Sequence, residues 1–246
     1  MVIKLGNFFF RWRDTLFSLI LLFGLYSLTM TQQHWFLLGF GSLKEDIVFS
    51  MIGFLLVLIG ITIRSITIGY IYIKRAGINK KIHADQLFKE GLFAHSRNPL
   101  YLGNLFIVTG AIMSLNLILF WVLILPMFYF IYYAIIRAEE AFLSNKFKQE
   151  YLEYLNQVPR LFFGNFHLFP DSFKNLNFSL KRVIKVEHSV QFLVLFTIVL
   201  TNILKFHFRY NINWENEFLI VLYIILVILI IYQILASILK RLGKLD

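Results

Sequence analysis

Six long apolar runs, at 15–31, 47–73, 100–115, 117–136, 189–206 and 218–239, constrain this chain more than any other feature. Each approaches the roughly 20 residues that a helix needs to cross a bilayer. In lipid, backbone N–H and C=O groups must be paired within the segment, which favours helices for continuous apolar runs of this length. Composition agrees: 59% of the 246 residues are apolar and 15% are charged, against about 25% charged in a soluble domain. The expected fold is all-α, a polytopic membrane protein of about six transmembrane helices. Asn116 alone separates the third and fourth runs and predicts a short helical hairpin, while Pro126 is expected to kink the fourth. Cysteine is absent, which excludes a disulfide scaffold, a thiolate metal site and a cysteine nucleophile.

Loop charge gives an independent reading of topology. With six spans and both termini inside, twenty of the 24 Lys and Arg face the cytoplasm, three face outward and Arg64 lies within a run. The positive-inside rule favours that arrangement. The formal charge of +10 is then explained by basic loops near anionic lipid, without a nucleic-acid partner. Both long polar loops, 74–99 and 137–188, fall on the cytoplasmic side, so chemistry with a soluble cofactor is expected there. The membrane is a cell inner membrane or an endomembrane. Arg11, Arg13 and Asp14 before the first run, with no small-residue cleavage site after it, argue against a cleaved signal.

Three groups of residues stand out. Asn98-Pro99 reads as a helix start, with Asn at N-cap and Pro at N1. The exposed N–H groups there, with Arg97 beside them, suit an anion. Gly103 and Gly110 allow a helix or a ligand to approach closely. Arg137, Glu139 and Glu140 stand where the fourth run leaves the membrane. A hairpin would bring them to Arg97, Asn98 and Tyr101. Beyond them, Leu143, Phe147, Tyr151, Leu155 and Val158 form a helical stripe, with Lys146 and Glu150 as a surface pair. Arg64 is an intramembrane charge, expected to pair with Glu139 or Glu140, to meet a lipid head, or to snorkel. The histidines lack metal-ligand spacing, and no nucleophile elbow, P-loop or dinucleotide-binding glycine loop is present, so no metal is expected.

The order of these pieces resembles the membrane-embedded methyltransferases that include isoprenylcysteine carboxyl methyltransferase and the phospholipid methyltransferases. The resemblance runs over roughly 53–163. It is carried by Gly60-Ile-Thr-Ile-Arg64, Leu87-Phe-Lys-Glu-Gly91-Leu-Phe93 and Ser96-Arg-Asn-Pro-Leu-Tyr-Leu-Gly103. After the hairpin come Glu139-Glu140-Ala-Phe-Leu143, Phe147-Lys-Gln-Glu-Tyr151-Leu-Glu-Tyr154 and Val158-Pro159. The resemblance implies S-adenosylmethionine, bound at the cytosolic ends of the hairpin. Asp85, Leu87, Phe88, Phe93, Arg97, Asn98, Pro99, Leu100, Tyr101 and Glu139 would line the cofactor pocket. Arg-Asn-Pro looks more like bacterial lipid-type relatives than the prenylcysteine enzymes, which usually have His where Asn98 stands.

The resulting division is 1–46 as first span and outer loop, 47–163 as methyltransferase core, and 164–246 as cytosolic loop and two further spans. The expected substrate is a membrane-embedded lipid or lipidated group. O-methylation of an anionic head, a lipid phosphate or prenylcysteine-type carboxylate, would use Arg64 or Arg137 to orient it. N-methylation of an aminophospholipid such as phosphatidylethanolamine would use Glu140 as base. A non-catalytic membrane scaffold is the remaining alternative.

Overall fold

The computed structural model describes residues 1–30, 39, 41–72 and 82–245. Lys74, Arg75, Lys80 and Lys81 of the expected basic loop lie outside the described residues. The described residues form helices α1 (Val2–Thr29), α2 (Leu43–Tyr70), α3 (Pro99–Leu115), α4 (Leu125–Gln157), the short α5 (Phe169–Ser172), α6 (Leu180–Tyr210) and α7 (Glu217–Arg241). No strand is found among the described residues. Four segments are each long and apolar enough to cross a membrane: α2, α4 with the turn before it, α6 and α7. The other two expected spans are helices as well. Yet α3 has only 17 residues, and α1 spends its first half on Lys4, Arg11, Arg13 and Asp14, so neither reaches a full apolar length alone.

Neighbouring long helices run antiparallel. On α1 and α4, Phe17 stacks near Phe128 and Tyr132, while Phe23 meets Phe120. On α2 and α6, Arg64 meets Glu187 and Asp46 meets Lys205. One end of the bundle, called the site end here, therefore collects the start of α1, the end of α2, the start of α3, the end of α4 and the start of α6.

The tightest crossing is α2 on α3. Gly53 lies against the backbone of Gly110, and Gly60 against that of Gly103, seven residues along each helix. In lipid such contacts replace the hydrophobic effect as the source of helix affinity. The expected close approach at Gly103 and Gly110 is thus made by a helix. A Cβ at Gly110 would stand 2.3 Å from the Gly53 carbonyl oxygen. Gly110→Leu is expected to destabilise the bundle by at least the ~1–3 kcal/mol of an overpacked core. A thermal scan in detergent that matches wild type would refute this contact.

The hairpin turn forms at Asn116, whose left-handed φ of 49° is one that asparagine tolerates. A π turn at Phe120–Ile124 follows, and Pro126 comes directly after it at the start of α4. The missing proline N–H falls in this irregular entry, so no break is needed in mid-helix. The sharp break lies instead at Lys148, with φ 46° and ψ −119°.

Lys205 and Arg209, expected in an outer loop, stand on α6, which runs to Tyr210. They close the far end. Fully buried Asp46 accepts bonds from Lys205 (2.9 Å), Asn116 (3.1 Å) and Tyr210 (2.8 Å), with Arg209 at 3.2 Å. At the site end, Arg182 of α6 donates to the carbonyls of Gly69 and Tyr70, capping α2.

Candidate functional site

The residues before α3 are fixed by a second segment further along the chain. Arg97 N–H donates to the Pro159 carbonyl (2.9 Å), Gly164 N–H to that of His95 (2.9 Å), and Ser96 Oγ to that of Leu161 (2.7 Å). Pro99 is the first residue of α3, as its fixed φ suits. Asn98 occupies the N-cap position, but its side chain makes no capping bond. Its amide donates to the Arg160 carbonyl instead, at 2.9 Å, because the 159–164 segment offers a buried acceptor there.

Above α3 lies the segment 82–93. Lys146 donates to the Ala84 carbonyl, Lys89 pairs with Glu150 at 2.8 Å, and Tyr154 Oη donates to the Phe93 carbonyl at 2.7 Å. The expected Lys146–Glu150 pair is not made, since each side chain holds this roof instead. Tyr151, Tyr154 and Val158 are buried against Leu87, Leu143 and Phe147.

Beneath the roof is a cavity of about 840 Å³, within the range of small-molecule sites. Its upper part is lined by 82–88, Phe93, 97–101, Glu139, Tyr151 and Tyr154. A lower limb runs between helices along Phe17, Leu21, Ile107, Val108, Ala111, Phe128, Val194 and Thr197. A smaller cavity of about 110 Å³ shares six of the limb's residues and continues to Gly24, Leu115 and Phe120. One space thus connects polar loops with the apolar interior of the bundle.

All ten residues expected around a cofactor, Asp85, Leu87, Phe88, Phe93, Arg97, Asn98, Pro99, Leu100, Tyr101 and Glu139, line this cavity. The Glu139 carboxylate accepts a 2.6 Å bond from Tyr101 Oη. Phe88 and Phe93 have ring centroids 6.0 Å apart.

The three expected catalytic residues are placed differently. Arg64 lines the cavity but is buried and fully engaged. It reaches neither Glu139 nor Glu140. Its guanidinium donates to both oxygens of Glu187 at 2.9–3.0 Å and to Asn104 Oδ1 at 2.6 Å. Glu140 is off the cavity wall, where its carboxylate meets Arg97 (3.1 Å) and Arg160 (3.0 Å). Arg137 is exposed and does not line the cavity. Two residues before Glu139 is about 200° around a helix, so the two side chains leave opposite faces.

Sequence reasoning missed Glu187, Asn104, Arg160, Arg13 and Asp14. Glu187 was counted as loop because the apolar run starts at Ser189, whereas α6 begins at Leu180. Arg13 and Asp14 were read only as charges preceding a span.

Fold and site together define a helical membrane protein with a cavity that opens among polar loops and extends between its helices. The comparisons give the class more closely: residues 48–150 match the family model of phospholipid methyltransferases. That stretch contains nearly all of α2, the whole of α3 and α4 as far as Glu150. No curated protein and no solved structure gives a significant match.

Proposed function

We infer that this chain is an S-adenosylmethionine-dependent methyltransferase of membrane lipids. The observation that carries the reading is a cavity that joins a polar upper part to an apolar limb between helices. It suits a soluble cofactor entering from the loops and a lipid entering from the bilayer. The loop-charge count supports placing the site end and both termini on the cytoplasmic side.

The lining of the upper cavity suits the chemistry of the cofactor. Phe88, Phe93, Tyr151 and Tyr154 offer aromatic faces for a purine and a sulfonium. Glu139, oriented by Tyr101, offers an acceptor for ribose hydroxyls or an ammonium group. When bound, S-adenosylmethionine supplies an electrophilic methyl group. The protein's own share is to hold the acceptor in line with that methyl and keep water away, worth about 7–11 kcal/mol by positioning.

For the acceptor we favour an amine. Of the arginines expected to orient an anionic nucleophile, Arg64 is neutralised by Glu187 and Arg137 stands outside the cavity; Arg13, which does line it, stands beside Asp14, a pair that suits a zwitterionic head better than a lone anion. Glu140, held by Arg97 and Arg160, stands off the cavity wall and does not face an acceptor there. Asp14 lines the cavity, and its side chain is 88% exposed. It can take the proton an ammonium must lose and pass it to water.

The test is calorimetric binding of S-adenosylmethionine to detergent-purified protein, followed by transfer of labelled methyl into native lipids. Micromolar binding is expected, weakened at least tenfold in Glu139→Ala and in Tyr101→Ala, since each removes a buried hydrogen-bonding partner. Folded protein that binds none of the cofactor would leave a membrane scaffold. Label in esters rather than amines would restore the anionic acceptor.

A further inference from the structure

The inward stripe of α1 reads Phe10, Arg13, Asp14, Phe17, Ser18, Leu21, all of which line the cavity. The spacing is that of one helical face. Three of these six residues are polar; Arg13 is the inward ionisable one, of the kind that marks a substrate path in a membrane protein, while Asp14 is largely in solvent. The helix that carries them lies wholly outside the 48–150 segment.

Three arginines line the cavity: Arg13, Arg64 and Arg97. Arg64 is compensated by Glu187 and Arg97 by Glu140, both carboxylates buried. Arg13 differs. Its side chain is 19% exposed, and its ion-pair partner is the neighbouring Asp14, at 3.4 Å through Nε and largely in solvent. It also lies 4.8 Å over the Phe10 ring. Among the described residues, Arg13 is thus the cavity arginine with no buried carboxylate at ion-pair distance, although its charge still acts on Glu139.

Resting on the amine-acceptor reading above, we propose that Arg13 is the phosphate subsite of the acceptor lipid, with Asp14 facing the amine of the same head group. A zwitterionic head carries a phosphodiester and an ammonium two carbons apart. Arg13 and Asp14 present the complementary pair from adjacent positions on one helix. The planar guanidinium fits a phosphodiester through paired N–H groups. The head would replace the long Arg13–Asp14 contact with two better ones, while the chains occupy the limb along Leu21, Val108 and Ala111. Arg13 is then a positioning and specificity residue that sets the acceptor nitrogen at the height of Tyr101 and Glu139.

The experiment compares two acceptors in detergent micelles with the full-length protein. One is a diacyl phospholipid with an ethanolamine head. The other has the same chains and aminoethyl group joined through an uncharged ether. Wild type is expected to favour the phospholipid by about ten- to a hundred-fold in kcat/KM, the range for a hydrogen bond to a charged group. Arg13→Gln should remove most of that preference through KM, with cofactor affinity by calorimetry unchanged, and Arg13→Lys should keep part of it. A preference intact in a folded Arg13→Gln protein overturns the subsite. So does loss of S-adenosylmethionine binding in that variant, which would give Arg13 to the cofactor. If wild type methylates neither amine, the amine reading itself falls, a result distinct from either outcome for Arg13.

Discussion

Glu187→Ala is expected to cost about 3–5 kcal/mol, because it leaves the Arg64 guanidinium buried without its counter-charge. That is a large part of the 5–15 kcal/mol by which a typical protein is stable. The Arg64 and Glu187 side chains are 7% and 1% exposed, and two-pronged geometry holds them. Asn104 on α3 shares the guanidinium, so one side chain ties α2, α3 and α6 around the cavity. The reverse loss, Arg64→Ala, should also destabilise, because it removes the two-pronged contact to Glu187 and the bond to Asn104. Replacing both, Arg64→Met with Glu187→Leu, should recover part of the stability, since no charge of the pair is left buried, while Asn104 still loses its donor. Thermal unfolding in detergent decides this. Single variants as stable as wild type would mean that the pair contributes nothing. The double variant also separates support from chemistry, because it should still bind S-adenosylmethionine through wall residues that it does not touch.

Much of the fold was legible because a bilayer restricts the choices. The apolar runs, the turn at Asn116 and the Asn98-Pro99 helix start are local signals, and local chemistry decides them. Helix ends were less legible. A run of hydropathy stops where polar residues begin, yet α6 starts nine residues before its apolar run and α1 thirteen before. That error hid Glu187, Arg13 and Asp14, the residues by which these helices reach the cavity. Pairings were legible only across the hairpin, where Tyr101 meets Glu139 and Arg97 meets Glu140. Arg64 was expected to meet Glu139 or Glu140, both of which the matched segment contains. Its partner comes from 123 positions away, and no spacing in one chain encodes that distance. Lys205 with Asp46 is the same case at the far end. The cofactor wall was named by resemblance. Its supports, Arg160 and the 159–164 carbonyls, follow from how the loop folds back.

Glu140 supplies the second large effect, and its mechanism is different. Arg97 stands on the cavity wall with its side chain only 6% exposed. Its guanidinium is held by Glu140 and by the Leu155 carbonyl at 3.0 Å. Glu140→Ala strips the counter-charge from Arg97 and also from the half-exposed Arg160. The expected cost is again about 3–5 kcal/mol for the uncompensated buried charge. Asn98 is held by the carbonyl of Arg160, so a displaced Arg160 loosens the wall from Arg97 to Tyr101. A further loss of at least tenfold in S-adenosylmethionine affinity is expected, the equivalent of about 1.4 kcal/mol. Glu140→Gln keeps the shape and one accepting oxygen but not the charge, and should fall between. Arg137→Ala is the control: three residues away on the same helix, exposed and off the cavity, it should change neither quantity measurably. If Glu140→Ala bound the cofactor like wild type while Arg137→Ala did not, the exposed face of α4 would carry the function and the cavity would not.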